Sequence, residues 1–409
     1  MFKLKSLIII LLLSISFNSF SQEEKKYSCE VYGILDMQGF YISRNTYNAI
    51  DGLFSLYPLA PSYDAQGKDI NGKSSLNFSS SPSRIGVRLK LGEAMGAKIS
   101  GVIEGDLTGQ ADGIANFLRL RVAHINMNWD KAQLLVGQYW NPMVLPEMMP
   151  SNRDLHNGAP FHPFTRENQV RLDYHPCENF NFVAALALQR DYATIGVNSV
   201  RDYKQQNNTM LPEVNLHFQY KTKTILAGIG GRFLAIQPRE NIVQGGKTYS
   251  LDKRIYTFAT TAYFNYKKGK DNLKMQALLG DNMNDLNLLG GYYESAFDTV
   301  NNSYSYKPTT VFSSWIDYSH SFGKFKPAII MGYSKNFDVN EQSYANAYGL
   351  GMTIDNYIRV APRIEYFFKD NFSLTLALEY SSVKYKDEVC KDRVNGFRTA
   401  LAFCYLFNY

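Results

Sequence analysis

The sequence predicts an all-β chain, a transmembrane up-and-down antiparallel β-barrel of about sixteen strands. Three observations carry that expectation: apolar residues alternating with polar ones at period two, connections alternating between long and short, and aromatic rings placed just before the short turns. Composition agrees, because the chain holds 29 Tyr and 26 Phe while its mean hydropathy is only -0.27. It is aromatic without being continuously apolar, which suits strands with lipid on one side and water on the other.

The first residues read as an export signal. Lys3 and Lys5 form a basic start, residues 7–15 are apolar, and Ser19-Phe20-Ser21 offers a small-x-small cleavage site. Residues 1–21 are therefore expected to be a signal peptide and 22–409 the barrel. The apolar run is too short to serve as a membrane anchor, and no cysteine stands at the cleavage point to accept a lipid. Downstream, no stretch reaches the roughly 18 apolar residues of a spanning helix, which excludes a helical transporter.

Charge and cysteine usage narrow the function further. The 43 basic and 37 acidic residues give +6, too modest a balance for a nucleic-acid partner. Cys29, Cys177, Cys390 and Cys404 have no paired spacing, so neither a metal site nor a disulfide framework is indicated.

Alternation starts with Ile85, Val87, Leu89 and Leu91 against Arg84, Arg88 and Lys90. Ile99, Ile103 and Leu107 then stand against Lys98, Ser100, Glu104 and Asp106, and Val170, Leu172 and Tyr174 against Gln169, Arg171 and Asp173. The same pattern returns at Val214 to Tyr220, at Leu374 to Tyr380 and at Phe397 to Tyr409. Two segments read less cleanly. In residues 117–129 the outward set Leu118, Leu120 and Val122 gives way to Ile125 and Met127, which suggests a bulge, and residues 134–140 fit either register. Facing Arg to lipid at mid-depth costs about 2 to 4 kcal/mol, so Arg84, Arg88, Arg171, Arg359, Arg363 and Arg398 fix the inward face elsewhere.

Short links fall at residues 92–96, 130–131, 175–179, 221–224, 267–272, 323–324 and 369–371. Longer connectors lie near 44–74, 108–116, 141–165, 190–211, 236–253, 281–307, 335–350 and 385–395. Strict alternation of that kind is the mark of a barrel with long outer loops and tight inner turns. Rings at Trp129, Tyr174, Tyr220, Phe264, Tyr266, Phe322, Phe368, Phe407 and Tyr409 precede the short turns or the terminus, and only the strand ending at Leu91 lacks one.

Within this frame SPSRIGVRLKLG (81–92), GVIEGDL (101–107), FLRLRVAHI (117–125), LLVGQYWNPM (134–143) and NQVRLDY (168–174) together resemble the N-terminal half of DcaP-type porins. The final Phe407-Asn408-Tyr409 is similar to the aromatic terminal signal of outer-membrane barrels. This resemblance implies a homotrimer in the Gram-negative outer membrane, surrounded by lipid and admitting small negatively charged solutes such as dicarboxylates. Some members carry a helical N-terminal extension, for which this chain leaves few residues after Gln22. Small residues at Gly101, Gly105, Ala184, Gly228 and Gly230 are expected on the outer wall, where a neighbouring barrel would pack.

Sixteen strands leave a lumen that wall side chains alone cannot fill. The connector 141–165 is the candidate constriction, and it resembles the third loop of general porins. Its Glu147, Arg153, Asp154, His156 and His162 would then project into the passage, whereas an ordinary solvated loop is the other reading. Arg84, Arg88, Arg119, Arg121 and Arg171 form a basic row that would favour anions. Alternatively they pair with Glu104, Asp106 and Asp173 and brace the wall, and guanidinium has donors enough for both roles.

His124, His156, His162, His175, His217 and His320 make no metal-binding pair, and no nucleophile elbow or phosphate loop is present. No enzyme activity, catalytic residue, metal or cofactor is expected. The expected function is a passive, anion-preferring diffusion pore, with an adhesin or surface receptor acting through the long loops as the alternative.

Overall fold

The computed structural model describes residues 27–50, 52–109, 116–150, 158–337 and 346–409. The expected signal peptide and the loop residues Arg153, Asp154 and His156 lie outside them.

A single closed antiparallel wall dominates the described chain. Its first half comprises β1 (Tyr27–Ile42), β2 (Ser75–Ser79 and Arg84–Ala94), β3 (Ala97–Asp106), β4 (Arg119–Asn128), β5 (Ala132–Trp140), β6 (Arg166–Cys177), β7 (Phe180–Gln189) and β8 (Glu213–Lys221). The second half comprises β9 (Ile225–Ile236), β10 (Ile255–Lys268), β11 (Asp271–Asp281), β12 (Thr310–His320), β13 (Phe325–Asn336), β14 (Ile354–Lys369), β15 (Phe372–Tyr385) and β16 (Val394–Asn408). Each pairs with its neighbours in sequence, and β16 returns to β1 in a register running from Tyr32 opposite Asn408 to Ile42 opposite Arg398. Closure leaves no sheet edge, so every strand finds its backbone partners within the wall.

Seven connections are tight and eight are long, in strict alternation, as the sequence predicts. Positive-φ glycines turn the chain where space is shortest, for example Gly96 between β2 and β3 and Gly269 between β10 and β11. Aromatic rings link the strands at this end: Phe325 meets Tyr366 at 4.9 Å, Tyr366 meets Phe368 at 5.0 Å, and Phe368 meets Phe372 at 4.8 Å.

Side-chain parity follows the predicted alternation. Ile103, Ile229 and Phe258 point outward and are exposed, while Glu104, Asp106, Asn215, Gln276 and Asp317 point inward and are buried. The expected bulge is real and lies in β4. The pairing of β3 with β4 shifts between Glu104 and Gly105, so Arg121 and Val122 are both buried and the outward face resumes at Ile125. Val122 thus leaves the outward set to which the simple alternation assigned it. In β5, Val136 is exposed opposite Val170 and Leu135 is buried, which settles the ambiguous register. A second correction concerns the small residues. Gly228 and Gly230 face inward, where a Cβ would lie 2.5 Å from the Tyr263 hydroxyl and 2.3 Å from the His217 ring. Ala227 and Gly231 take the outward places beside Ile229.

The loops fill much of the interior. Phe40 and Ile42 of β1, Leu53 and Phe54 after it, Met143, Phe161 and Phe164 from 141–165, Tyr192, Met283, Leu286 and Tyr357 form one apolar core. Apolar residues on the inner face of the wall, such as Phe40, Trp315 and Ile330, therefore meet loop side chains rather than water.

The register makes a direct prediction. Ile103→Arg should destabilise the barrel by about 2 to 4 kcal/mol, as a lipid-facing charge does, while Ile103→Leu should change little. Denaturant-dependent folding into lipid vesicles measures both, and equal stability of the two variants would contradict an outward Ile103.

Candidate pore lining and constriction

The described residues of 141–165 leave the wall between β5 and β6 and bond β11, β12 and β14, well around the barrel from where they started. Gln276 donates to the Met143 carbonyl at 3.3 Å and Lys274 to the Met149 carbonyl at 2.6 Å. His162 Nδ1 lies 3.0 Å from Gln276 Oε1, and the Ser313 hydroxyl donates to the Phe161 carbonyl at 3.2 Å. The Phe161 ring fills the space above Gly332, where a Cβ would sit 2.4 Å from it. The described part of this segment is thus largely buried and hydrogen-bonded to inward-facing residues of the wall.

Arg359 on β14 is the chief fastening. Its side chain is 2% exposed, and it donates to the carbonyls of Ala159 at 2.6 Å and Leu56 at 2.7 Å, and more weakly to that of Ser55 at 3.1 Å. The Tyr357 hydroxyl accepts from it at 2.7 Å, and Glu379 Oε1 is 3.1 Å away. One guanidinium therefore ties the 43–74 loop, the 141–165 loop and two wall strands together, using the fixed donor fork that distinguishes arginine from lysine.

Of the basic row predicted from the sequence, Arg84, Arg119 and Arg121 come together around Glu104 and Asp106, while Arg88 and Arg171 stand apart from them with acids of their own. Arg119 bonds Asp106 at 2.8 Å and reaches Asp191 at 3.4 Å, while Arg121 bonds Glu104 at 2.8 Å and Asp106 at 2.6 Å. The β4 bulge lets both arginines face inward although Ile125 of the same strand faces outward, and Leu120 is exposed between them. Arg171 holds Asp173 on its own strand at 2.8 Å. Arg84 is less committed: it is 24% exposed, stands 3.9 Å from Glu104, and its Nε has no hydrogen-bond partner. Arg88 lies apart near the short turns, over the Tyr32 ring and 3.0 Å from Glu30. Glu147 also stands apart, half-exposed and paired with Lys221.

Three further inward arginines are paired with acids. Arg166 shares Asp191 with Arg119, lying 2.7 Å from it and stacking over Trp140, while Arg363 pairs with Asp317 at 2.6 Å and Arg232 bridges Glu213 and Asp285. Inward parity marks Arg363 in the sequence. Arg166 is the first residue of β6, and Asp285 stands in a loop, where no alternation exists to reveal it.

Two predictions follow from the docking of the lumen loop. Arg359→Met removes the donor from three buried carbonyls and the cation from beside Glu379, so a loss of about 3 to 5 kcal/mol is expected, read as a lower Tm in detergent together with faster protease cleavage within 141–165. Burial pushes the His162 imidazole down to about 3, Lys274 adds to this, and the Gln276 hydrogen bond opposes it. The unfolded chain takes up that proton near pH 6.5 and the folded chain does not, so the stabilisation is complete above that pH and is lost as pH falls toward 3. His162→Asn should flatten the fall of Tm between pH 6 and pH 4, and an unchanged slope would remove His162 as its source.

Neither a protein-family model nor a curated protein matches this sequence. Among solved structures, the outer membrane channel DcaP of Acinetobacter baumannii is similar with a TM-score of 0.69 and 14% identity, covering 95% of this chain and 100% of that one. The trimer form of OmpT, an outer membrane protein of Vibrio cholerae, reaches 0.54 at 10% identity over 93% and 99%. Salmonella typhi OmpF in complex with daunomycin reaches 0.52 at 12% identity over 93% and 97%. At such identities the likeness is one of fold, and at that level the resemblance to DcaP-type porins is borne out. The chain is a closed sixteen-stranded barrel with the fold of the outer-membrane porins.

Proposed function

We propose that the protein is a porin of the Gram-negative outer membrane, a passive diffusion channel for small hydrophilic solutes that prefers anions of the dicarboxylate class. The observation that carries this reading is a closed wall, apolar outside and charged inside, with one loop folded across its lumen. Lipid suits the exposed outward rings and aliphatic residues, and water suits the ladder of Arg84, Glu104, Asp106, Arg119 and Arg121.

Anion preference rests on the state of those charges. Arg119 and Arg121 spend their donors on Asp106 and Glu104, so they contribute field more than direct contacts. Arg84 is less tightly paired, 24% exposed and 3.9 Å from Glu104, so the solvent-facing part of its guanidinium is the one in this group that a passing carboxylate would meet. Along the same stretch Arg84, Arg119, Arg121, Arg166 and Arg171 stand against Glu104, Asp106, Asp173, Asp191 and the buried Asp36 beside Ser83, so the preference rests on which charge remains exposed and not on a net excess. A narrow, low-dielectric passage amplifies the field of an incompletely paired charge.

A homotrimer fits the outer surface. Ala227, Ile229, Gly231, Ala262 and Ala277 line shallow apolar grooves across β8 to β12, and small side chains allow two barrels to approach closely. The trimer form of the similarly folded Vibrio cholerae protein supports this assembly.

A planar bilayer with a salt gradient tests the reading. The wild-type protein should conduct, with a reversal potential displaced toward the anion. Arg84→Gln should reduce the anion-to-cation permeability ratio by up to about fivefold, since a charge pair near 4 Å in a watery passage is worth about 1 kcal/mol. Replacing Arg119 and Arg121 together by Gln leaves Asp106 and Glu104 uncompensated and should swing selectivity further toward cations. Absence of conductance would favour the surface-receptor reading, and a reversal potential indifferent to both variants would overturn the anion preference alone.

A further inference from the structure

Behind the foot of the lumen loop lies a group of acids that the diffusion reading does not use. Glu167 on β6, Glu213 at the start of β8 and Asp285 in the loop after β11 are all 0% exposed. One carboxylate oxygen from each lies within 4.8 Å of the others. Arg232 is the cation bonded to this group, contacting Glu213 at 2.7 Å and also Asp285. Arg201, nearby, is turned instead to the carbonyls of Ala193 and Asn284 and to Asn287 Oδ1. Three carboxylates thus share one bonded guanidinium in a place without solvent. Burying unpaired charge costs several kcal/mol per ion.

The hydrogen bonds leave particular oxygens open. Asn141 donates to Glu167 Oε2 at 2.7 Å and to Glu213 Oε1 at 2.8 Å, and Gln189 donates to Asp285 Oδ2 at 2.9 Å. Glu167 Oε1 is buried with no hydrogen-bond partner. Asn215 is 0% exposed and its amide nitrogen bonds Glu213 Oε1 at 2.7 Å, yet its carbonyl Oδ1 also has no partner. An oriented carboxylate oxygen and an amide oxygen at the same cluster are both acceptors awaiting a positive group.

We infer that Glu167, Glu213 and Asp285, with Asn215 Oδ1 beside them, bind one hard divalent cation of the calcium class. Oxygen-only ligands select hard ions over zinc or copper. Calcium takes oxygens at 2.3 to 2.6 Å, so ligands on opposite sides of one ion stand roughly 5 Å apart, and a set within 4.8 Å can close on a single ion. A divalent ion supplies positive charge to a set in which three carboxylates surround one bonded guanidinium. The ion joins β6, β8 and the loop carrying Asp285, and through Asn141 it holds the first residue of the lumen loop.

The test uses the full mature chain, purified in detergent, stripped with EGTA and then given calcium or magnesium. Elemental analysis after gel filtration should find about one tightly held calcium per chain, and calcium should raise Tm by a few degrees where magnesium raises it less. Glu167→Gln and Asp285→Asn should each lose both the ion and the Tm shift. Wild-type protein that takes up no calcium would overturn the site even if neither variant folds. Uptake that survives in both variants would place the ion elsewhere and overturn it too. A Tm that ignores calcium and rises on acidification would show that the carboxylates share protons instead. None of these readings depends on conductance, so failure here leaves the channel function standing.

Discussion

A ring of sixteen strands encloses more space than its own side chains can fill, and the rest of this protein follows from how that space is used. Four long loops turn inward and bring apolar residues with them, so part of the lumen becomes a packed core built of Phe54, Met143, Phe161, Tyr192 and Met283. Such a core hides backbone as well as side chains, and hidden carbonyls require donors. Arg359 supplies them to Leu56, Ser55 and Ala159 while keeping Glu379 beside it. Without that residue the two loops would lose a side chain that bonds both of them, and would keep their separate bonds to Gln276, Lys274 and Ser313 on one side and to Tyr385 on the other.

The charges left in the lumen are organised by the same economy of space. Arg119, Arg121 and Arg166 each find acids within hydrogen-bond distance, so the inner wall is close to neutral over short distances. That arrangement braces neighbouring strands and loops, because Asp191 comes from the loop after β7 while Asp106 ends β3. Bracing and selectivity are compatible: the paired groups hold the wall rigid, and the incompletely paired Arg84 faces the solvent that a solute must share. The acid group around Arg232 follows the opposite rule, with more carboxylates than cations bonded to it, which is why a bound ion is the natural partner there.

A single bulge has consequences out of proportion to its size. Inserting one residue in β4 at Arg121 and Val122 shifts the pairing with β3 and sets Arg121 beside Glu104 and Asp106 as well as leaving Arg119 there. Without the bulge, the alternation that puts Ile125 outward would also put Arg119 and Arg121 outward, into the apolar face.

Period-two alternation, loop parity and ring placement were enough to determine strand number, connection order and the inward face from the sequence alone, because each strand obeys the same local rule between lipid and water. Residues such as Arg84, Glu104, Asp106, Arg171 and Arg359 were legible for that reason. Where local periodicity ends, legibility ends with it. Gly228 and Gly230 fit an outer wall as small residues, and only the rings of Tyr263 and His217 across the sheet show that they face inward. Nothing along the chain relates Ala159 to Arg359, or Glu167 to Glu213 and Asp285, since these contacts join residues separated by loops with no repeat of their own. The tertiary structure decided those pairings, because filling a lumen depends on which segments meet across it, and that is fixed by packing in three dimensions rather than by any pattern along one strand.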